Sequence, residues 1–218
     1  MLTDPVEIEI ISKAKQKNVR DPKRSRQHFE RIYADFLSDV DCDNKIFLDL
    51  GPGQYDFGVL GSERGATTVG FDNDPAVLEL GRVKGFEVHD IQLKSSVSEE
   101  HLARYDGLFC KFSINAFWFA DDLNKLEKSI EALDKLLNGD GWAWIAPWNG
   151  VPKNKELTDE QIHNIVAKQN DVFSSLNYEV FDMSDDLARH YGVNGTTQNH
   201  ALFIKNLSVP GKLTDFKV

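Results

Sequence analysis

The chain has only two cysteines in 218 residues, Cys42 and Cys110. They sit in different contexts and at no spacing that pairs ligands for zinc. Neither a disulfide framework nor a metal site is expected, and both thiols are read as reduced. No apolar run approaches the roughly 20 residues needed to cross a bilayer, which excludes a membrane-spanning helix. The opening Met-Leu-Thr-Asp-Pro-Val-Glu-Ile-Glu has no basic segment followed by an apolar one, so a secretory leader is not expected and a cytoplasmic location follows by default. Positive charge is also short: 25 Lys and Arg against 35 Asp and Glu leave a net charge of −10. That balance argues against phosphate-backbone binding as the main source of affinity and favours a small-molecule partner over nucleic acid. Internal repeats, low-complexity tracts and Pro-rich linkers are missing as well, so no domain boundary is supported. The sequence carries no signal for an oligomeric state.

What is present is a globular composition, 41% hydrophobic with 28% charged residues, on a length that fits one large domain with a sizeable core. The organising stretch runs from Asn44 to Asp74. Ile46 to Leu50 is a short apolar run ending in glycines, as a buried parallel strand should be, and Thr67 to Phe71 repeats that character after an intervening helical segment. This is a βαβ unit. Gly51 and Gly53 let the backbone turn sharply and approach a ligand, and the amides opening the next helix favour a polar or anionic group. Asp72 ends the second strand, 21 residues after Gly51. A carboxylate there suits both hydroxyls of a ribose, which reads as a nucleoside-cofactor site. The alternative is an ordinary βα turn in which both glycines are structural.

Along the rest of the chain, residues 5–17 fit a short helix or a strand equally. Lys17, Arg20, Lys23, Arg24 and Arg26 form a basic run whose plain reading is a solvated face. Phe29, Ile32, Tyr33, Phe36 and Leu37 recur at helical spacing. The helix after Gly53 carries Phe57, Val59 and Leu60, weakened by Gly58 and Gly61. Pro75 opens a further helix with Ala76, Val77, Leu80 and Val83 as its stripe, closed by Gly85. Phe86, Val88 and Ile91 mark a third strand with Asp90 at its end, and Ser95 to Ala103 a polar helix start. Asp121 or Asp122 caps a helix with a stripe at 123, 126, 130, 133 and 137, ended by Gly139 and Gly141. Trp142 to Pro147 is a fifth strand. Thr158-Asp-Glu-Gln161 is a capping-box pattern before Ile162, Ile165, Val166, Val172 and Phe173, and Tyr178 to Met183 and His200 to Lys205 alternate as two last strands.

A nicotinamide fingerprint, Gly-x-Gly-x-x-Gly/Ala, needs a small uncharged residue where Asp56 stands, and a carboxylate there repels a pyrophosphate. Leu-Asp-Leu-Gly-Pro-Gly, with Asp49 two residues before Gly51, instead resembles the first motif of the class I S-adenosylmethionine-dependent methyltransferases. Gly-x-Gly-x-Gly is usual in that family, and Tyr55 stands at the third glycine, where a bulky side chain would narrow the mouth of the loop. The resemblance covers residues 44–205 as five βα steps and a terminal hairpin. It implies an α/β, Rossmann-like doubly wound sheet of about seven strands, mostly parallel with an antiparallel terminal hairpin and helices on both faces. It also implies a helical segment at 1–43 covering the active site of a cofactor-binding domain at 44–218.

The implied activity is in-line methyl transfer from S-adenosylmethionine to an oxygen or nitrogen of a small molecule, which needs no metal and no covalent intermediate. The implied cofactor residues are Asp49, facing the ammonium of the amino acid end, with Gly51, Pro52, Gly53, Asp72, Asn73, Asp90, Ile91 and Lys111. Asp90 falls near the adenine amino nitrogen. Asn115, Trp148 and Tyr191 are the acceptor-side residues. His190 is the general-base candidate, because an unperturbed imidazole titrates near pH 6.5; its plain reading is a surface histidine. Phe112, Phe117, Trp118 and Phe119 offer a ring to the sulfonium or, alternatively, belong to the core. Arg24 and Arg26 could pair with an acidic group on the acceptor or the cofactor. Two other readings stay open: a non-catalytic S-adenosylmethionine-binding protein of this fold, and a nicotinamide-dependent oxidoreductase.

Overall fold

Short runs rich in β-branched and aromatic residues become strands, and stripes recurring every three to four residues become the helices between them. The computed structural model describes residues 2–93, 96–146, 156–194 and 201–218. Its strands are β1 (Ile46–Leu50), β2 (Thr67–Asp72), β3 (Glu87–Asp90), β4 (Tyr105–Lys111), β5 (Leu137–Ala146), β6 (Glu179–Asp182) and β7 (Ala201–Lys205). Its helices are α1 (Pro5–Ser12), α2 (Gln27–Phe36), α3 (Asp56–Ser62), α4 (Pro75–Val83), α5 (Leu123–Asp134), α6 (Asp159–Ser175) and α7 (Asp185–His190). The strands form a seven-stranded sheet in the order β3-β2-β1-β4-β5-β7-β6. β1, β2 and β3 are parallel, as are β4 and β5, while β7 runs antiparallel to both β5 and β6. This is the mostly parallel sheet with an antiparallel terminal hairpin that the sequence predicts. By compactness the chain divides into Met1–Gln92 and Leu93–Val218.

In the first unit, the ambiguous opening segment is a helix. Asp4 accepts a hydrogen bond from Val6 N at 2.7 Å and Pro5 occupies the first turn, the two devices that start a helix despite its β-branched isoleucines. Ile10 and Ile11 then join a buried cluster with Ala14, Val19, Tyr55, Ala76, Val77 and Leu80. α2 buries Phe29, Ile32, Tyr33 and Phe36, and Tyr33 stacks on Phe57 of α3 at 5.1 Å. β1 and β2 pair with Phe47 opposite Thr68 and Asp49 opposite Gly70, so these four residues share one face of the sheet. β3 is shorter than expected. Phe86 stacks on Tyr55 before the strand begins, and Ile91 N donates to Asp72 O at 3.1 Å just after it ends.

The second unit corrects two expectations. The helix before β5 stops at Asp134, and Leu137 is the first residue of the strand, paired with Tyr105. Leu137 fits a helical stripe and a strand start equally, and the strand wins because Asn-Gly-Asp-Gly is an irregularity inside β5. The register jumps from Tyr105↔Leu137 to Gly107↔Trp142, and Asn138 Nδ2 donates to Asp106 Oδ1 at 2.9 Å across the irregularity. Pro147 lies outside the described residues. The polar helix start reduces to a 3-10 turn at Glu99–His101, and Ser95 lies outside the described residues. α6 carries the full capping box of Thr158 and Gln161. Phe109 stacks on Trp144 at 5.0 Å and Phe173 on Phe203 at 4.0 Å. His200 is outside the described residues. A 3-10 turn at Gly211–Phe216 and a bridge from Lys217 to Phe181 complete the unit; neither had a periodic signal in the sequence. Among the described residues no helix is long and apolar enough to cross a membrane.

Candidate functional site

The loop after β1 turns by a repeated device. Gly51, Gly53 and Tyr55 have φ of 67°, 58° and 64°, so every second residue is left-handed, including the tyrosine at the third glycine position. Gly51 N donates to Phe71 O at 2.8 Å and Tyr55 N to Pro52 O at 2.9 Å. Among the described residues, the N–H groups of Gly53 and Gln54 have no acceptor. A left-handed residue with a Cβ costs roughly 1–2 kcal/mol. Burial of the ring offsets it: Tyr55 is fully buried, and an aromatic side chain gains on the order of 2–3 kcal/mol that way.

Room for that ring comes from two glycines. A Cβ on Gly70 would lie 2.9 Å from Tyr55 Cε1, and one on Gly81 would lie 2.5 Å from Tyr55 Cζ and overlap the hydroxyl outright. Tyr55 therefore packs under the loop, between β2 and α4. The expectation that it narrows the mouth of the loop is corrected, because the core beneath, emptied of side chains at 70 and 81, takes the ring instead. Its hydroxyl is buried without a hydrogen-bond partner, and burial raises the phenol above its ordinary range.

Carboxylates surround this loop. Asp49 is 2% exposed and, among the described residues, has no hydrogen-bond or ion-pair partner. Burial pushes its carboxyl well above the usual carboxylate range; Arg24 pulls it back, and Asp56 and Asp72 add to the rise. Asp72, at the end of β2, accepts hydrogen bonds at one oxygen, Oδ1, from Asn73 N at 2.7 Å and Asp74 N at 2.8 Å. Its other oxygen has no partner among the described residues. Burial raises Asp72 too, against those two amides. Asp90 ends β3, exposed and in register with Asp72, with half-buried Ile91 next to it. The cofactor candidates of the first unit thus lie on three adjacent strand ends and their loops.

A strap from the amino terminus is pinned to these loops, and the sequence reading missed how. Lys15 N donates to Asp74 Oδ2 at 2.6 Å and Lys15 Nζ to Asn73 O at 2.9 Å. Gln54 Nε2 donates to Val19 O at 2.8 Å and Asp21 O at 2.7 Å. Arg24 Nη2 faces Asp56 Oδ2 at 3.6 Å. Lone Lys and Gln residues in loops carry no sequence signal, whereas Arg24 belonged to a run read as solvated. Arg26 does behave as surface, paired with Glu30 and Glu63.

In the second unit, Lys111 ends β4 with its ammonium 5.8 Å from the Phe112 ring, and Phe112 has a φ of 65°. Asn115 is buried, and its Oδ1 caps the next turn by accepting from Phe117 N at 2.8 Å. Phe117 is core, and Trp118 is 53% exposed. His190 ends α7, with Nε2 3.1 Å from Lys212 Nζ. An ammonium only donates, so Nε2 accepts. Tyr191 is fully buried, with Lys212 5.2 Å from its ring centre. Trp148 lies outside the described residues. Among those described, no group of three His, Cys, Asp or Glu side chains could hold a metal ion.

No model of a protein family matches the chain, nor does any curated protein sequence. Solved structures do. A TehB-like S-adenosylmethionine-dependent methyltransferase from Corynebacterium glutamicum is similar at a TM-score of 0.51 and 14% identity, over 95% of this chain and 100% of that one. Magnesium protoporphyrin IX methyltransferase from Synechocystis, with bound S-adenosylmethionine, is similar at 0.50 and 12%, over 82% of this chain and 77% of that one. The [4+2]-cyclase SpnF is similar at 0.51 and 10%, over 87% and 84%. At these identities the likeness is one of architecture, and it agrees with the strand order and the terminal hairpin: the chain has the Rossmann-like fold of the class I S-adenosylmethionine-dependent methyltransferases.

Proposed function

We propose that the protein is an S-adenosylmethionine-dependent methyltransferase acting on a small molecule. One observation carries this reading: the loop that would receive a nucleoside cofactor is lined by Asp49, Asp56 and Asp72, and Asp49 is buried with no partner for its charge. Phosphates would be repelled there, whereas an ammonium and a sulfonium are attracted. S-adenosylmethionine has both. When bound, it supplies a methyl group on a positive sulfur, which an acceptor oxygen or nitrogen displaces in line, leaving a neutral thioether.

On this reading the open oxygen of Asp72 takes the ribose hydroxyls, Asp49 the ammonium, and Gly51, Pro52, Gly53 and Asn73 the backbone contacts. Asp90 and Ile91 take the adenine. Lys111, Asn115, Trp148 and Tyr191 remain proposals for the cofactor and acceptor sides, and residues 1–43 for a cover over the site, supported by the Lys15, Gln54 and Arg24 contacts. His190 is the proposed base; Lys212 must release Nε2 before that nitrogen can take a proton from the acceptor. A cytoplasmic location is proposed on two buried thiols, which suit a reducing compartment. The non-catalytic alternative rested on Tyr55, and the left-handed tyrosine that keeps the loop's path removes that support.

The test is calorimetric titration with S-adenosylhomocysteine and, separately, a nicotinamide dinucleotide. Binding of the first alone is expected. Asp72→Ala should weaken it tenfold or more, since hydrogen bonds to a charged group contribute roughly 1.5–3 kcal/mol each. An unchanged affinity in that variant would remove Asp72 from the site, and exclusive dinucleotide binding would overturn the proposal.

A further inference from the structure

We propose that Arg24 reads the carboxylate of the cofactor's amino acid end, so that Arg24 and Asp49 together form a receptor for an α-amino acid zwitterion. This inference rests on the cofactor reading above. The strap that carries Arg24 is fixed at three points: Gln54 Nε2 holds Val19 O and Asp21 O, and Leu2 N donates to Pro22 O at 3.0 Å. Arg24 is thereby placed over the left-handed loop, with Nη1 3.5 Å from where a Cβ on Gly53 would sit. A Cβ there would meet it only at ordinary contact distance, so what favours glycine at 53 is its positive φ. The guanidinium lies over the Phe29 ring at 5.3 Å, its side chain is 24% exposed, and its ion-pair neighbour among the described residues, Asp56, is 3.6 Å away. That separation is too long for a hydrogen bond. Among the described residues, then, the guanidinium makes no hydrogen bond at all.

A guanidinium this enclosed normally spends its five donors on carboxylates or carbonyls. Here the donors stay unspent beside Gly53, and the Gly53 and Gln54 N–H groups also have no acceptor among the described residues. In β1, just before that loop, Asp49 is a buried acceptor with no donor among the described residues. One cation and one anion, each lacking side-chain hydrogen bonds among the described residues, act on each other electrostatically. An amino acid end satisfies both at once: its carboxylate takes the planar fork of Arg24 and the loop amides, and its ammonium takes Asp49. Asp56 acts as a positioning residue. Its carboxylate holds the arginine head over the loop by charge alone and leaves the fork free to pair.

The experiment uses three adenosine thioether or sulfonium ligands. S-adenosylhomocysteine has the whole amino acid end, decarboxylated S-adenosylmethionine lacks the carboxylate, and 5′-methylthioadenosine lacks the entire end. Arg24→Gln is expected to weaken S-adenosylhomocysteine at least tenfold and to leave the other two within twofold of wild type. Arg24→Lys, which keeps the charge and loses the fork, should fall between. Equal loss for all three ligands would overturn the proposal in favour of a strap that only shapes the loop, and so would an unchanged S-adenosylhomocysteine affinity. Thermal melts of both variants exclude misfolding as the cause, since a misfolded variant loses all three ligands together with its transition. If the wild-type protein binds none of the three, the cofactor reading fails and the inference with it. If the wild type binds and Arg24→Gln binds equally well, the inference alone fails.

Discussion

Asp49→Asn should make the protein more stable and its site weaker. Asp49 sits near the end of β1, 2% exposed and without a hydrogen-bond or ion-pair partner among the described residues. The charges that act on it are Arg24, which helps, and Asp56 and Asp72, which oppose. An unsatisfied buried polar group costs about 1–3 kcal/mol, more when charged, and an amide of the same shape removes the charged part of that cost. For a chain of this length each kcal/mol moves Tm by about 2–4 °C, so the variant should melt several degrees higher at neutral pH.

The gain has a pH signature. The folded-state carboxyl titrates above the unfolded one, so the folded chain keeps this proton to higher pH. Below the ordinary aspartate pKa of about 3.9, both states are protonated and the two proteins should melt alike. As pH rises from there, the unfolded wild type ionises first and wild-type stability falls relative to the variant. The gap levels off once the folded carboxyl ionises. Binding moves the other way, because an amide oxygen offers the ammonium a neutral acceptor in place of a charged one: losing the charge assistance of a bond worth roughly 1.5–3 kcal/mol weakens affinity by up to about 150-fold. Melting curves from pH 4 to pH 8 and titration with S-adenosylhomocysteine measure both. A variant that melts no higher than wild type across that range, or that binds as tightly, refutes the argument.

Tyr55→Phe removes a hydroxyl that is buried without a partner and should raise Tm by a few degrees with cofactor affinity unchanged; a lower Tm would mean the hydroxyl is bonded after all. Gly81→Ala sets two effects against each other. An alanine gains up to about 1 kcal/mol over glycine inside a helix, but its Cβ would sit 2.5 Å from Tyr55 Cζ and Val88 Cγ1, and overpacking costs about 1–3 kcal/mol. The clash should win and Tm should fall, whereas Gly139→Ala, with nothing within 4 Å of the added atom, should be neutral. Equal melts for the two alanine variants would show that the ring beneath Gly81 can move aside.

The sheet was legible because its strands are short apolar runs set between unmistakable breakers, and Asp49, Gly51, Gly53 and Asp72 were legible because they sit at strand ends at fixed spacing. The misreadings share a cause. Leu137 continues a helical stripe by chance, and only its pairing with Tyr105, a partner distant in sequence, makes it a strand residue. Nothing local distinguishes the two. Tyr55 was misjudged because its environment is made by the absence of side chains at Gly70 and Gly81, and a missing side chain advertises no contact. Gln54 and Lys15 look like surface residues in the sequence; their partners are backbone carbonyls and a carboxylate brought in from elsewhere in the unit. Sequence patterning reports which face of an element is apolar, and it says little about polar atoms whose partners are backbone groups.

The same distinction explains why this loop reads as a site. A chain selected for stability alone would not bury Asp49 without a donor, leave the fork of Arg24 unbonded, or put a tyrosine where φ must be positive. Burying an unpaired carboxylate and holding a tyrosine at positive φ each cost on the order of 1–3 kcal/mol, a large part of the 5–15 kcal/mol that holds a typical domain together. Two of the three departures, Asp49 and Arg24, are complementary in charge and act on each other electrostatically, so the proposed ligand, bearing both an ammonium and a carboxylate, would relieve both. The third is relieved within the protein, by the burial of the Tyr55 ring. That asymmetry predicts where function resides: changes at Tyr55 should move stability and leave ligand affinity alone, and changes at Asp49 and Arg24 should move affinity most.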